Sequence, residues 1–210
     1  KYYENGNFIS SLNIPIPGLH NLSNITAAIA ASRMIGVDFI EIKKNIQYLK
    51  LPKKRFEFRG LIDERRFYDD YAHHPNEIKE TIKLGRLFIK KKRNIESQKS
   101  RLIAIFQPHR YSRVIKFAKE FAEELSKADV IYLTSIYAAG EENKNRINSK
   151  VITDLIYKKN KNVSFVNDYH EIAKNFYELT QKGDLILNMG AGNCHNFWSI
   201  LNGEDNKKDY

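Results

Sequence analysis

The sequence predicts a three-layer α/β domain on a mostly parallel sheet. Near-continuous apolar runs recur at Leu102–Phe106, Val130–Leu133, Val163–Val166 and Leu185–Leu187, and unbroken runs suit strands covered on both faces. Between them lie segments with apolar residues at helical spacing, such as Val114, Phe117, Phe121 and Leu125. Strand and helix thus alternate, which requires parallel pairing through right-handed crossovers.

The first 52 residues follow another pattern. Phe8–Pro17 alternates weakly and reads as an edge strand ended by its prolines. Gly18 to Asn21 leads into a helix carrying Leu22, Ile25 and Ile29 and closing near Gly36. A second helix starts at Asp38, an N-cap residue with Glu41 at capping-box spacing, and buries Phe39, Ile42, Ile46 and Leu49. One strand and two helices cannot enclose a core, so residues 1–52 are expected to be the end of a domain, with a boundary at Leu51-Pro52 and a complete domain over 53–210.

In that second domain Arg55–Arg59 and Arg66–Asp69 read as strands, followed by a helix from Asn76 to about Lys92 with Ile78, Ile82 and Ile89 inward. Further helices are expected over Ser112–Lys127, from Ser149 to about Lys159, over Tyr169–Gln181, and after Gly190–Asn193.

Composition narrows the function. With 210 residues, 42% of them hydrophobic, the chain can bury one full core and part of a second. It has no apolar run of about 18 residues, and its start has no signal-peptide pattern, so a soluble cytoplasmic protein is expected. Cys194 is the single cysteine, which excludes an internal disulfide. A formal charge of +10 raises the question of nucleic acid, but the clusters Lys90–Arg93 and Lys158–Lys161 fall at helix ends, where cations complement the dipole. No nucleic-acid motif with interleaved aromatics accompanies them, which leaves a basic binding module as a secondary reading. A dinucleotide-binding oxidoreductase would need a Gly-x-Gly-x-x-Gly turn that the sequence lacks.

Ligands bind such sheets beyond the carboxyl ends of the strands. Four polar stretches fall there: Asp69-Asp-Tyr-Ala-His-His-Pro75, Gln107-Pro-His-Arg-Tyr-Ser-Arg113, Ser135–Glu141 and Gly190–Asn193. The first gathers two carboxylates, a phenol and two imidazoles, a density of proton-transfer groups that packing rarely requires. In the second, His109, Arg110 and Arg113 open a helix, where guanidinium forks and free N–H groups suit a carboxylate or phosphate.

These stretches, with His20-Asn21 and Asn24, Lys54-Arg-Phe-Glu57 and the Gly-Ala-Gly-Asn run, occur in the order found in the Mur ligases, and the chain resembles that family from about Pro17 to Asn193. The resemblance implies a Rossmann-like carboxyl-terminal domain, preceded by the last helices of a central ATP-binding domain at 1–52. It implies ATP-driven amide synthesis for peptidoglycan precursors, in which a muramate carboxylate takes the γ-phosphoryl group of ATP with Mg2+ and an amine attacks the acyl phosphate. By resemblance Asn21, Asn24, Arg55 and Asp70 fall at nucleotide-contacting positions. Asp70 and His73 would be catalytic, while Tyr71, His73, His109, Arg110 and Arg113 would line the amino-acid and muramyl pocket. The run His109–Arg113 favours addition of L-alanine to UDP-N-acetylmuramate over the recycling of a muramyl tripeptide. The family's phosphate loop and metal ligands have no match in these residues, so the chain is expected to be a fragment that is inactive alone. Cys194-His195, in place of an apolar continuation, and the residues after Glu141 depart from the family's pattern.

Overall fold

The computed structural model describes residues 1–93 and 100–203, without the side chains of 91–93. The chain divides into two compact units, Lys1–Pro52 and Lys53–Tyr210.

The first unit opens with a hairpin of β1 (Tyr2–Glu4) and β2 (Asn7–Ser10). Asn5 and Gly6 both take positive φ, 48° and 81°, as a two-residue hairpin turn requires. The strand expected over Phe8–Pro17 therefore starts one residue earlier and ends at Ser10, and its partner β1 went unread. Helices α1 (Leu19–Met34) and α2 (Phe39–Asn45) follow. Asp38 caps α2 through Oδ1, which accepts the Ile40 N–H at 2.8 Å. The core here is small, with Ile25, Ile29 and Ile46 buried while Leu19, Met34, Ile35, Ile40 and Tyr48 stay exposed.

The second unit contains β3 (Glu57–Ile62), β4 (Arg65–Asp70), α3 (Pro75–Arg93), β5 (Leu102–Phe106), α4 (Tyr111–Leu125) and β6 (Val130–Leu133). It continues with α5 (Lys150–Tyr157), β7 (Val163–Phe165), α6 (Tyr169–Lys174), α7 (Phe176–Leu179), β8 (Leu185–Met189) and α8 (Phe197–Leu201). The strands order as β3-β4-β8-β5-β6-β7, all parallel except β3, which pairs antiparallel with β4. Three expected elements shift. The first strand begins at Glu57 because Lys54 and Phe56 have left-handed φ, 61° and 45°, which no strand accommodates. The helix expected over Tyr169–Gln181 breaks at Asn175, and the residues after Gly190–Asn193 form a 3-10 turn, Cys194–Asn196, before α8.

Alternate residues of the sheet face two cores, as the pleat demands. Leu102, Ala104, Phe106, Leu185 and Leu187 pack with α3, α4 and α5, while Ile103, Ile105, Ile186 and Phe67 pack with α6 and α8. Phe67, Phe106, Phe121, Phe176 and Phe197 are fully buried, each contributing about 1.5–3 kcal/mol. Lys158–Lys161 falls at the end of α5, where Lys159 pairs with Glu123 and Lys161 lies over the Tyr157 ring. The other basic cluster ends α3, with the side chains of residues 91–93 outside those described. Among the described residues no helix is long and apolar enough to cross a membrane.

Candidate functional site

Strand β8 lies between β4 and β5, so the ends of β4, β8, β5 and β6 are consecutive along one rim. Backbone hydrogen bonds tie their loops together. Gly190 N–H donates to Asp70 O at 3.1 Å, Gln107 N–H to Met189 O at 2.9 Å, Tyr137 N–H to Pro108 O and Arg110 N–H to Tyr137 O, both at 2.8 Å.

Asp70 anchors the first loop. Its Oδ2 accepts the Phe56 N–H and its Oδ1 the Ala72 N–H, each at 2.8 Å. The carboxylate is buried, and burial pushes its pKa above the usual range. Asp70 thereby fixes the left-handed Lys54–Phe56 turn that presents Arg55, and Tyr71 N–H adds a bond to Lys54 O at 2.7 Å. The Arg55 guanidinium lies 5.7 Å from the centroid of the Tyr71 ring.

The neighbouring Asp69 is also buried, accepting from Asn188 Nδ2 at 2.8 Å with Arg59 Nε at 3.5 Å. Desolvation pushes its pKa up to about 6. Cys194 is buried behind the same loop, its thiol donating to Gly190 O at 3.1 Å, and burial raises its pKa to about 12, so it remains an unreactive thiol.

From Tyr71 the rim is a row of rings. Tyr71 meets His73 edge-on at 5.1 Å, His73 meets His109 at 5.8 Å, and His109 stacks on Tyr137 at 5.5 Å. Arg113 Nη1 lies 3.4 Å from His109 Nδ1 and can donate to it, which leaves His109 Nε2 to carry the ring proton. Desolvation, then the charges of Arg113, His73 and Arg110, hold the His109 pKa below that of a free imidazole, so the ring is neutral at pH 7. The positive charge on this part of the rim therefore comes from its arginines.

Arg110 has φ 71° and ψ 133° at the N-cap of α4, a strained conformation for a side chain with a Cβ. Its guanidinium is half-exposed, with Nη1 3.9 Å from Glu141 Oε1. Glu141 is itself held by the Ser112 hydroxyl at 2.6 Å and the Ser112 N–H at 2.9 Å, which keep its pKa low. Gly192 completes the rim, because a Cβ there would fall 2.5 Å from Gln107 Oε1 and 2.6 Å from the Tyr137 ring.

Six of the expected residues, Tyr71, His73, His109, Arg110, Arg113 and the anchor Asp70, thus share this rim, as does Arg55. Asn21 and Asn24 lie on α1 in the first unit, Asn21 buried with Nδ2 donating to Pro17 O at 2.7 Å and Asn24 exposed. Glu77, Tyr137 and Glu141, which hold the rim's cations and rings, were not assigned from sequence. Glu77 had a local signal, an acid three residues past His74 at a helix start, and Tyr137 and Glu141 lay within the polar stretch expected at the end of β6.

Fold and rim define an α/β domain that gathers arginines and a row of rings beyond the carboxyl ends of a mostly parallel sheet. Residues 54–192 match the family model of the Mur ligase glutamate ligase domain, and the chain belongs to the Mur ligase family. It is 66% identical over 202 residues to a UDP-N-acetylmuramate–L-alanine ligase of Prochlorococcus marinus subsp. pastoris, covering 96% of this chain and 43% of that protein. It is 40% identical to the protein of the same name from a Synechococcus species, covering 97% and 43%. The chain thus spans less than half the length of these curated relatives. Among solved structures, the UDP-N-acetylmuramate-alanine ligase of Thermotoga maritima shares the fold with a TM-score of 0.74 at 24% identity, over 98% of this chain and 42% of that one. A murein peptide ligase from Psychrobacter arcticus follows at 0.67 and 24%, over 95% and 39%.

Proposed function

We propose that this chain is the carboxyl-terminal part of a ligase that joins L-alanine to the carboxylate of UDP-N-acetylmuramate, at the expense of ATP, in peptidoglycan precursor synthesis. The observation that carries the reading is the receiver at the start of α4, where Arg110 is kept in a left-handed conformation and two arginines flank a neutral imidazole. Strained backbone of this kind clusters at sites where ligands are held.

In this reading Arg110 and Arg113 hold a substrate carboxylate as planar forks, and His109 adds an Nε2–H donor. ATP supplies the phosphoryl group that activates the muramate carboxylate, with Mg2+ balancing its charge. Ligands for that ion are proposed to lie in the rest of the ligase, outside these 210 residues. Arg55 faces the nucleotide, and Asp70 serves it by fixing the Arg55 loop, since both carboxylate oxygens are occupied by main-chain N–H groups. His73 takes the proton that the attacking amine releases. Residues 1–52 are the end of the central ATP-binding domain, with Asn21 and Asn24 on the adenine side, a reading supported by the exposed apolar side chains of this unit. Nucleotide-linked substrates place the reaction in the cytoplasm.

The test uses the full-length protein containing this chain. ADP release with UDP-N-acetylmuramate should depend on L-alanine and not on the L-alanyl-γ-D-glutamyl-meso-diaminopimelate tripeptide; the reverse preference would assign the chain to a recycling ligase. Arg110→Gly relieves the positive φ, so the fold should be unharmed or slightly stabilised. Loss of a charged hydrogen bond of about 1.5–3 kcal/mol should lower kcat/KM for the carboxylate substrates about 10- to 150-fold. Unchanged kinetics in Arg110→Gly would remove the receiver from the reaction.

A further inference from the structure

Glu77, in the first turn of α3, commits both carboxylate oxygens to the rim. Its Oε2 accepts the His73 N–H at 3.0 Å and the His74 N–H at 3.1 Å, and lies 3.3 Å from His73 Nδ1. Its Oε1 lies 3.5 Å from Arg55 Nη1. The same His73 Nδ1 is 2.8 Å from the Tyr71 carbonyl oxygen. The Tyr71 carbonyl oxygen is the hydrogen-bond acceptor at this ring nitrogen and the Glu77 carboxylate adds its negative charge beside it, so both favour a proton on Nδ1. The lone pair is then left on Nε2. Burial alone would raise the Glu77 pKa, but the N–H groups of His73 and His74 and the charge of Arg55 hold it below the usual carboxylate range, so the carboxylate stays ionised.

We infer that Glu77 is a positioning residue that couples the two halves of the site: beside the Tyr71 carbonyl its charge favours the Nδ1–H tautomer of His73 and, through its other oxygen, it holds Arg55 toward the nucleotide. The inference rests on the ligase reading for its consequence but not for its geometry. The groups that face His73 are Glu77 from α3, Tyr71 from its own loop and His109 from the β5 loop, with Arg113 beyond His109 and Arg55 beyond Tyr71. Glu77 is the single carboxylate among them. In the reaction the amine nitrogen forms the C–N bond with its lone pair, and phosphate leaves with the electrons of the broken C–O bond. The proton shed by nitrogen passes to His73 Nε2, which the tautomer keeps open.

Glu77→Gln keeps the shape and removes the charge; Glu77→Asp keeps the charge and shortens the reach. In the 15N-labelled 210-residue chain, His73 should show a protonated Nδ1 and an unprotonated Nε2. Glu77→Gln should raise the share of the opposite tautomer against the remaining Tyr71 carbonyl and speed exchange of the Arg55 guanidinium protons at least threefold. In the full-length protein Glu77→Gln should lower kcat about tenfold and raise KM for ATP, with Glu77→Asp between it and the parent. An unchanged His73 tautomer with unchanged Arg55 exchange would overturn the coupling, as would kinetics within twofold of the parent, since Glu77 would then be a helix cap and nothing more. If the parent itself releases no ADP, the ligase reading fails and the spectra alone decide the coupling.

Discussion

At the scale of single residues, the two adjacent aspartates of β4 divide their tasks by direction. Asp70 points toward main-chain donors, the N–H groups of Phe56 and Ala72, and so holds the Lys54–Phe56 turn. Asp69 points under the Gly190–Asn193 loop, where burial opposes its charge and raises its pKa from 3.8 to about 6. The sign of the effect follows from proton counting. Between these values the folded chain holds a proton that the unfolded chain has lost, so stability is full below about pH 4 and falls as pH rises through 6, by about 3 kcal/mol in all. Asp69→Asn keeps an oxygen acceptor for Asn188 and removes the titration. The Tm of the variant relative to the parent should therefore rise by several degrees between pH 4.5 and 7.5 and level off above that. Parallel Tm curves across this range would show that Arg59, 3.5 Å away, already neutralises the carboxylate.

At the scale of elements, what the sequence made legible was what repeats locally. The strands β5 and β6 match their apolar runs because both faces are buried, and α3 and α4 carry one apolar stripe each. Misreadings came where a polar side chain overrides periodicity: Asn175 donates from Nδ2 to Glu171 O at 3.1 Å and splits one expected helix into α6 and α7. The rim was legible as four loops at strand ends, because that placement follows from topology. Its holding partners were not, since Glu141 reaches Ser112 and Tyr137 reaches His109 only after β5 and β6 pair. The loop after β8 shows how tightly these partners constrain an element. Gly192→Ala would drive a methyl group into Gln107 and Tyr137, so Tyr137 must leave the His109 ring. We expect a loss of about 1–3 kcal/mol in stability with weaker carboxylate binding in the full-length protein. A chemical-denaturation midpoint and substrate KM equal to the parent's would mean that the loop yields without moving Tyr137.

At the scale of the whole molecule, the two units differ in how much apolar surface they enclose. Residues 53–203 bury both faces of a six-stranded sheet. Residues 1–52 bury three isoleucines, and α1 carries apolar residues around its whole circumference with Leu19 and Met34 79% and 88% exposed. Burial per residue sets local stability, because opening a segment is opposed mainly by the apolar area it must return to water. Native-state hydrogen exchange of the 210-residue chain should therefore report two stabilities. Amides of β5 and β8 should exchange only through global opening of their unit, and those of α1 and α2 at least about 100-fold faster. In the full-length protein the α1 and α2 amides should slow toward the values of the sheet, because the proposed central domain would cover their exposed faces. Equal protection of α1 and β8 in the 210-residue chain would show that the small isoleucine core suffices, and the assignment of residues 1–52 to a larger domain would lose its physical basis.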